Sequence, residues 1–127
     1  MSYKVKKSIL GFEDTVNIEI VEIDDLFSTM KDIDNENLSF TIVNPYMLRE
    51  YSFELPTSLK VLLDINEKTN FEVYNIVVIQ KPLENSMVNF LAPIIVNKDN
   101  NTIAQAVLNP KTHPDFGMNE TIKSFKK

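Results

Sequence analysis

Along much of this chain apolar and polar positions alternate with a period of two, the mark of a strand with one buried face. In Leu38–Val43 ("LSFTIV"), Leu38, Phe40 and Ile42 fall on one side, with Ser39 and Thr41 opposite. Asn17–Ile23 ("NIEIVEI") alternates as well, but acids occur on both of its faces, so its register stays open. Phe71–Gln80 ("FEVYNIVVIQ"), rich in β-branched and aromatic residues, is the strongest strand. Pro93–Asn97 and Thr102–Leu108 follow, joined by "NKDNN" as a hairpin turn. Lys4–Ile9, Phe27–Met30 and Tyr51–Leu55 are weaker candidates.

One stretch has helical spacing instead. After Pro56, Thr57 or Ser58 can cap the backbone, and Leu59, Leu62 and Leu63 fall at i, i+3 and i+4. This predicts a helix over 57–64 that plugs an open end of the sheet. The tail "HPDFGMNETIKSFKK" reads as loose coil or as a short amphipathic helix from about Asn119, with 117–127 as a flexible basic tail. Only two glycines are present, Gly11 and Gly117, so asparagines between the apolar runs take over the turns. Asn35, Asn37, Asn44, Asn66, Asn70, Asn85, Asn97, Asn100 and Asn101 are so placed, because Asn tolerates the left-handed region and bonds its own backbone. No repeat or linker divides the chain, so residues 1–127 form a single domain. Many short strands predict a mainly all-β fold, a small antiparallel β-barrel-like domain with one or two short helices.

Composition narrows the function. With no cysteine, disulfides, thiolate metal sites and thiol nucleophiles are excluded. No apolar run reaches 18 residues, so no membrane-spanning helix is expected, and "MSYKVKKSIL" lacks the apolar core of a secretory signal. A cytoplasmic location fits both. Net charge is −5, and it is concentrated: nine acids against Lys31 alone lie between Glu13 and Glu36. Such a surface repels phosphate and suits a basic protein partner better than nucleic acid, although a merely solubilising face would look the same.

Candidate chemistry is sparse. His113, in "KTHPDF", is the only histidine, and no second imidazole or thiol exists to complete a zinc site. "DIDNEN" begins like a calcium loop at Asp32, Asp34 and Glu36, but Asn37 stands where the turn glycine belongs and Val43 where the bidentate glutamate belongs. Two glycines cannot build a phosphate loop. Aromatics occur beside acids (Phe12–Glu13, Phe53–Glu54, Phe71–Glu72), the reverse of an RNA-binding face. No catalytic residue, cofactor or metal is assigned.

"ILGFE" (Ile9–Glu13), "FTIVNPY" (Phe40–Tyr46), "VYNIVVIQ" (Val73–Gln80) and "VNFLAPIIVNKDNNTIAQAVL" (Val88–Leu108) occur in an order that resembles the flagellar assembly factor FliW family of bacteria. The likeness runs from about Val5 to Phe116. It departs from the family pattern at Phe90, where leucine is usual, and at Ala104, where a glycine commonly precedes the glutamine. The resemblance implies a β-barrel-like, non-catalytic protein with two partners, flagellin and the RNA-binding translational repressor CsrA. Flagellin would titrate the factor, and its export would free the factor to capture CsrA and relieve repression of flagellin mRNA. A free monomer without direct nucleic-acid or membrane contact is expected.

Within that frame Pro93, which has no N–H to give, belongs at an edge or bulge, so Phe90–Val96 reads as a bulged strand with Leu91, Ile94 and Val96 partly in the core. Asn89, Leu91, Pro93 and Asn97 either shape the barrel or leave an edge for a partner strand. Glu19, Glu22, Asp24 and Asp25 form an acidic docking patch, and Tyr46 in "NPY" is an aromatic contact. A dedicated flagellin chaperone without a regulatory role and a small carboxylate-dependent hydrolase are the competing functions.

Overall fold

Which face each strand buries decides how the sheet closes. In the computed structural model, which describes residues 2–125, the strands in chain order are β1 (Ser2–Lys7), β2 (Asn17–Glu22), β3 (Phe27–Asp32), β4 (Ser39–Val43), β5 (Phe71–Val78), β6 (Met87–Val88), β7 (Ile94–Asn97), β8 (Thr102–Gln105) and β9 (Glu120–Thr121). Their order in the sheet is β4-β3-β2-β1-β8-β7-β5-β6-β9, and an additional β4–β5 pairing closes seven of them into a barrel. All pairings are antiparallel except β1 with β8, which run parallel from Lys4↔Thr102. The mainly β barrel expected from the alternation is therefore present, with that one parallel seam.

Two cores result. Inside the barrel, Tyr3, Ile18, Met30, Ile42, Ile94, Val96 and Ile103 pack together. Ile9 and Phe12, from the turn before β2, are fully buried among them. This turn supplies the plug that was expected from the helix. Gly11 at φ +87° makes it possible, since an added Cβ would stand 2.7 Å from the Phe40 ring. The outward side chains Val73, Val77, Ile95 and Ala104 form the second core. Over that face lies a strap from Tyr51 to Leu63 that ends in α1 (Thr57–Leu63).

Several expectations differ in detail. No hydroxyl caps α1: Pro56 precedes it and makes no side-chain bond, and Asp64 ends it at φ 60° with Ile65 N–H donating to Lys60 O. Leu59 and Leu63 are buried, whereas Leu62 is on the exposed side. Tyr51–Leu55 forms no strand, since its backbone serves as the strap. The C-terminal segment is neither loose coil nor α-helix through residue 125. β9 pairs with β6, and a 3-10 turn at Ile122–Phe125 buries Ile122. Lys126 and Lys127 lie outside the described residues.

Asparagine does shape the turns, mostly through its side chain. Asn35, Asn44, Asn66, Asn97 and Asn109 each accept the N–H two residues on, while Asn101 adopts φ 58°.

Candidate protein-docking cleft

The acidic turn and the "NPY" segment, 20 residues apart, meet in space. After β2 the chain reverses at residues 23–26, and Asp24 Oδ1 accepts the N–H groups of Leu26 (2.9 Å) and Phe27 (2.7 Å). Leu26 O then accepts Asn44 N–H at 2.8 Å, tying this turn to the 3-10 turn Pro45–Met47. Asn44 Oδ1 accepts Tyr46 N–H at 3.1 Å, which fixes Tyr46 as an exposed ring beside the acids.

Together these elements line a cleft of about 740 Å³ with Glu22, Asp24, Asp25, Tyr46, Glu72, Tyr74 and Lys98 among its walls. Among the described residues four carboxylates thus face one ammonium. Glu72 and Tyr74 share one face of β5, and Lys98 follows β7. Lys98 Nζ lies 2.7 Å from Glu72 Oε1, and the Tyr74 hydroxyl donates to Glu72 Oε2 at 2.5 Å. Burial pushes the Glu72 carboxyl up, but the bonds from Lys98 and Tyr74 outweigh it and hold the group below the ordinary carboxylate value. The bond to Glu72 holds Lys98 above the ordinary lysine value, with Glu22 adding to it. Tyr74 is raised by burial and then by Glu72. Among the described residues Glu22, Asp24 and Asp25 form no ion pair, so their field is open to a cation from outside.

Glu19 stands apart from the cleft. It faces Lys31 across the β2–β3 ladder with a 3.1 Å ion pair, so its charge is compensated at the surface. Sequence reasoning did not find Glu72, Tyr74 or Lys98. The signal was the alternation in "FEVYNIVV", which puts Glu72 and Tyr74 on the face opposite Val73, Asn75 and Val77.

The second candidate group is built differently. Met87–Asn97 runs beside β5 as one interrupted strand: the five residues 89–93 bulge out opposite Asn75 and Ile76. The bulge at Pro93 was expected, but the exposed edge was not found. β7 lies between β5 and β8, and Leu91, Pro93 and Asn97 are buried. The backbone groups of the bulge are already used: Ala106 N–H donates to Pro93 O, and Leu108 N–H to Leu91 O.

The polar side chains here point inward to satisfy backbone. Asn97 Nδ2 donates to Leu63 O at 2.7 Å, which ties α1 to the sheet. Gln105 accepts Leu10 N–H at 2.9 Å and donates to Ala92 O at 3.1 Å, bracing the plug turn against the bulge. Asn75 Nδ2 donates to Asn89 O at 2.8 Å and to the Tyr51 hydroxyl at 3.2 Å. Asn89 Oδ1 accepts Leu91 N–H at 3.0 Å. A polar residue in the middle of an apolar strand, as at Asn75, was the available sign of this network.

His113 sits on a surface loop, bonded to Asn109 O (3.1 Å) and stacked on Phe116. Among the described residues no group of three or more His, Asp or Glu could hold a metal. Among the described residues no helix is long and apolar enough to cross a membrane.

A family model described as FliW protein matches residues 2–121. "Flagellar assembly factor FliW 2" of Wolinella succinogenes is 50% identical over 125 residues, spanning 98% of this chain and 92% of that one. "Flagellar assembly factor FliW" of Campylobacter lari is 45% identical over 128 residues, covering 100% of this chain and 98% of its own length. A crystal structure of the flagellar assembly factor FliW superposes with a TM-score of 0.86 over 99% of this chain and 86% of that chain, at 18% identity, and so shares its fold. The chain belongs to the FliW family, whose curated members here are named flagellar assembly factors.

Proposed function

We propose that this flagellar assembly factor is a cytoplasmic, cofactor-free binding protein that captures flagellin and a CsrA-type translational repressor, and that it acts by occupancy rather than catalysis. The observation that carries the repressor half is the cleft, where Glu22, Asp24, Asp25 and Glu72 face Lys98 alone beside the exposed Tyr46 ring. A protein that grips RNA must present basic residues, and an acidic cleft attracts those residues while repelling the phosphates they hold. Capture of the repressor would free flagellin mRNA for translation, and excess flagellin would occupy the factor and reverse this.

The test is size-exclusion chromatography of the purified chain with flagellin and with the repressor, singly and together. Two separate complexes that compete are the expected result. Binding of flagellin alone would make the protein a dedicated chaperone. Indifference to both, or turnover of any substrate through His113 or a carboxylate pair, would remove the reading altogether.

A further inference from the structure

β6 has an edge that the barrel does not use. It pairs with β5 on one side, and on the other it meets β9, two residues of the chain's own C-terminal segment. Met87 faces Thr121 and Val88 faces Glu120, while Ile122 N–H donates to Ser86 O and Phe90 N–H to Gly117 O, each at 2.9 Å. Ile122 is buried, and the Phe125 ring meets Phe90 edge-on at 5.5 Å. Arg49, the chain's single arginine, joins these parts. Its guanidinium carbon lies 5.3, 5.0 and 5.6 Å from the ring centroids of Phe90, Phe116 and Phe125, and Nη1 is 3.4 Å from Glu120 Oε2.

We propose that Ser86–Phe90 is a strand-addition site for an extended segment of a partner protein, and that Gly117–Phe125 is its displaceable occupant in the free chain. The cis ladder is short: it covers two residues and breaks at Asn119, before the Phe90 N–H reaches Gly117 O. A segment that ran regularly from opposite Met87 to opposite Phe90 would keep these bonds in an unbroken ladder and add one to Phe90 O, which among the described residues now accepts only the Tyr51 hydroxyl at 2.6 Å. The connection behind the tail holds Pro110, Pro114 and Gly117 and forms no strand from residue 106 to 119, so release of β9 need not disturb the barrel ladders. The site dictates the chemistry of its ligand from what now fills it. An acid must meet Arg49 where Glu120 does, and a branched aliphatic must follow two residues later as Ile122 does. There the extended run must end in a turn like the 3-10 turn Ile122–Phe125, which brings an aromatic three further on back to where Phe125 packs. A second copy of this chain is a poor occupant, because an identical tail in trans gains nothing over the cis tail and faces its far higher effective concentration.

The probe is a fluorescein-labelled peptide of residues 117–125, GMNETIKSF, read by anisotropy. Full-length Ile122→Ala/Phe125→Ala loosens the cis segment without altering Ser86–Phe90, and should bind the peptide about tenfold or more tighter than the unaltered chain. A Glu120→Lys peptide should bind that variant about fivefold more weakly or worse, since it presents a like charge to Arg49. Met87→Cys/Thr121→Cys puts thiols at a non-hydrogen-bonded pair, where side chains approach closest, in a chain without other cysteines. Oxidation should abolish peptide binding, and dithiothreitol should restore it; this pair decides the matter even if the alanine variant folds poorly. The proposal fails if the folded alanine variant ignores the peptide, if a scrambled peptide binds equally, or if the oxidised chain binds undiminished. It also fails if the unaltered chain forms dimers that depend on Phe125, because the occupant would then be a second copy.

Discussion

Asn97 closes β7 and Asp24 follows β2, and each accepts the N–H two residues further on at 2.9 Å. Beyond that shared turn chemistry they do opposite things. Asn97 is 1% exposed, and its amide Nδ2 donates to Leu63 O inside the protein. Asp24 lies on an open cleft with Glu22 and Asp25, none of them in an ion pair among the described residues. The Asn89–Asn97 region is therefore polar because backbone has to be satisfied in the absence of water, whereas the Glu22–Asp25 region is polar because it faces water and whatever replaces it. Changes in the first should cost folding, and changes in the second should cost binding.

The contrast is most severe at Phe90, which is fully buried between Tyr51, Arg49 and Phe125. Phe90→Ala should lower stability by about 3–5 kcal/mol, measured from urea unfolding midpoints. Next come the inward amides. Asn97→Ala leaves the Asp99 N–H without its partner and Leu63 O with only its second donor, Asn100 Nδ2 at 3.0 Å, and Gln105→Ala strips Leu10 N–H and Ala92 O, so each should cost about 1–3 kcal/mol in the same assay. An outcome near zero for both would mean that the bulge is not braced by these amides.

Acid should expose a smaller effect at Asp32. The Thr15 hydroxyl, aided by backbone N–H groups, holds its carboxyl below the ordinary value of 3.8. A carboxyl depressed in the folded state stabilises it above the unfolded value, and that contribution disappears as pH falls through the folded one. Asp32→Asn should flatten the loss of stability below pH 3.8 in urea titrations run across the acid range. The least effect on folding belongs to Glu22→Lys/Asp24→Lys/Asp25→Lys, about 1 kcal/mol through the lost turn bonds of Asp24. The same variant should lose repressor capture in pull-downs, and undiminished capture would remove the cleft from the proposed function. For the unaltered chain the association rate with the repressor should fall as salt rises, since the cleft charges are exposed enough to be screened.

The barrel was legible because alternation survives in β4 and β5 and because β-branched residues fill β5 and β7. The plug was not legible. "ILGFE" shows no period, and only the folded turn reveals that Ile9 and Phe12 both point inward. The helix was placed within a residue of its end, but periodicity says nothing about the partner, and Leu59 and Leu63 found the outer face of the sheet rather than an open end. The acids of the cleft could be read as exposed from composition. Their convergence with Tyr46, Glu72 and Lys98 could not, because it depends on the bond from Asn44 to Leu26 O and on the return of β5 beside β4. The bulge at Pro93 followed from its missing N–H, while the fate of the neighbouring edge required knowing where the distant tail lies.

The parallel seam has a consequence for synthesis. Lys4 finds its neighbour Thr102 only after most of the polypeptide has left the ribosome, so the early meander of β1 to β4 must wait with an unzipped flank. Ring closure across so large a sequence separation is the slow, late event in such topologies. A nascent chain halted before Ile103 emerges would carry a sticky open strand at its oldest end, the moment at which this protein most needs shielding from its neighbours.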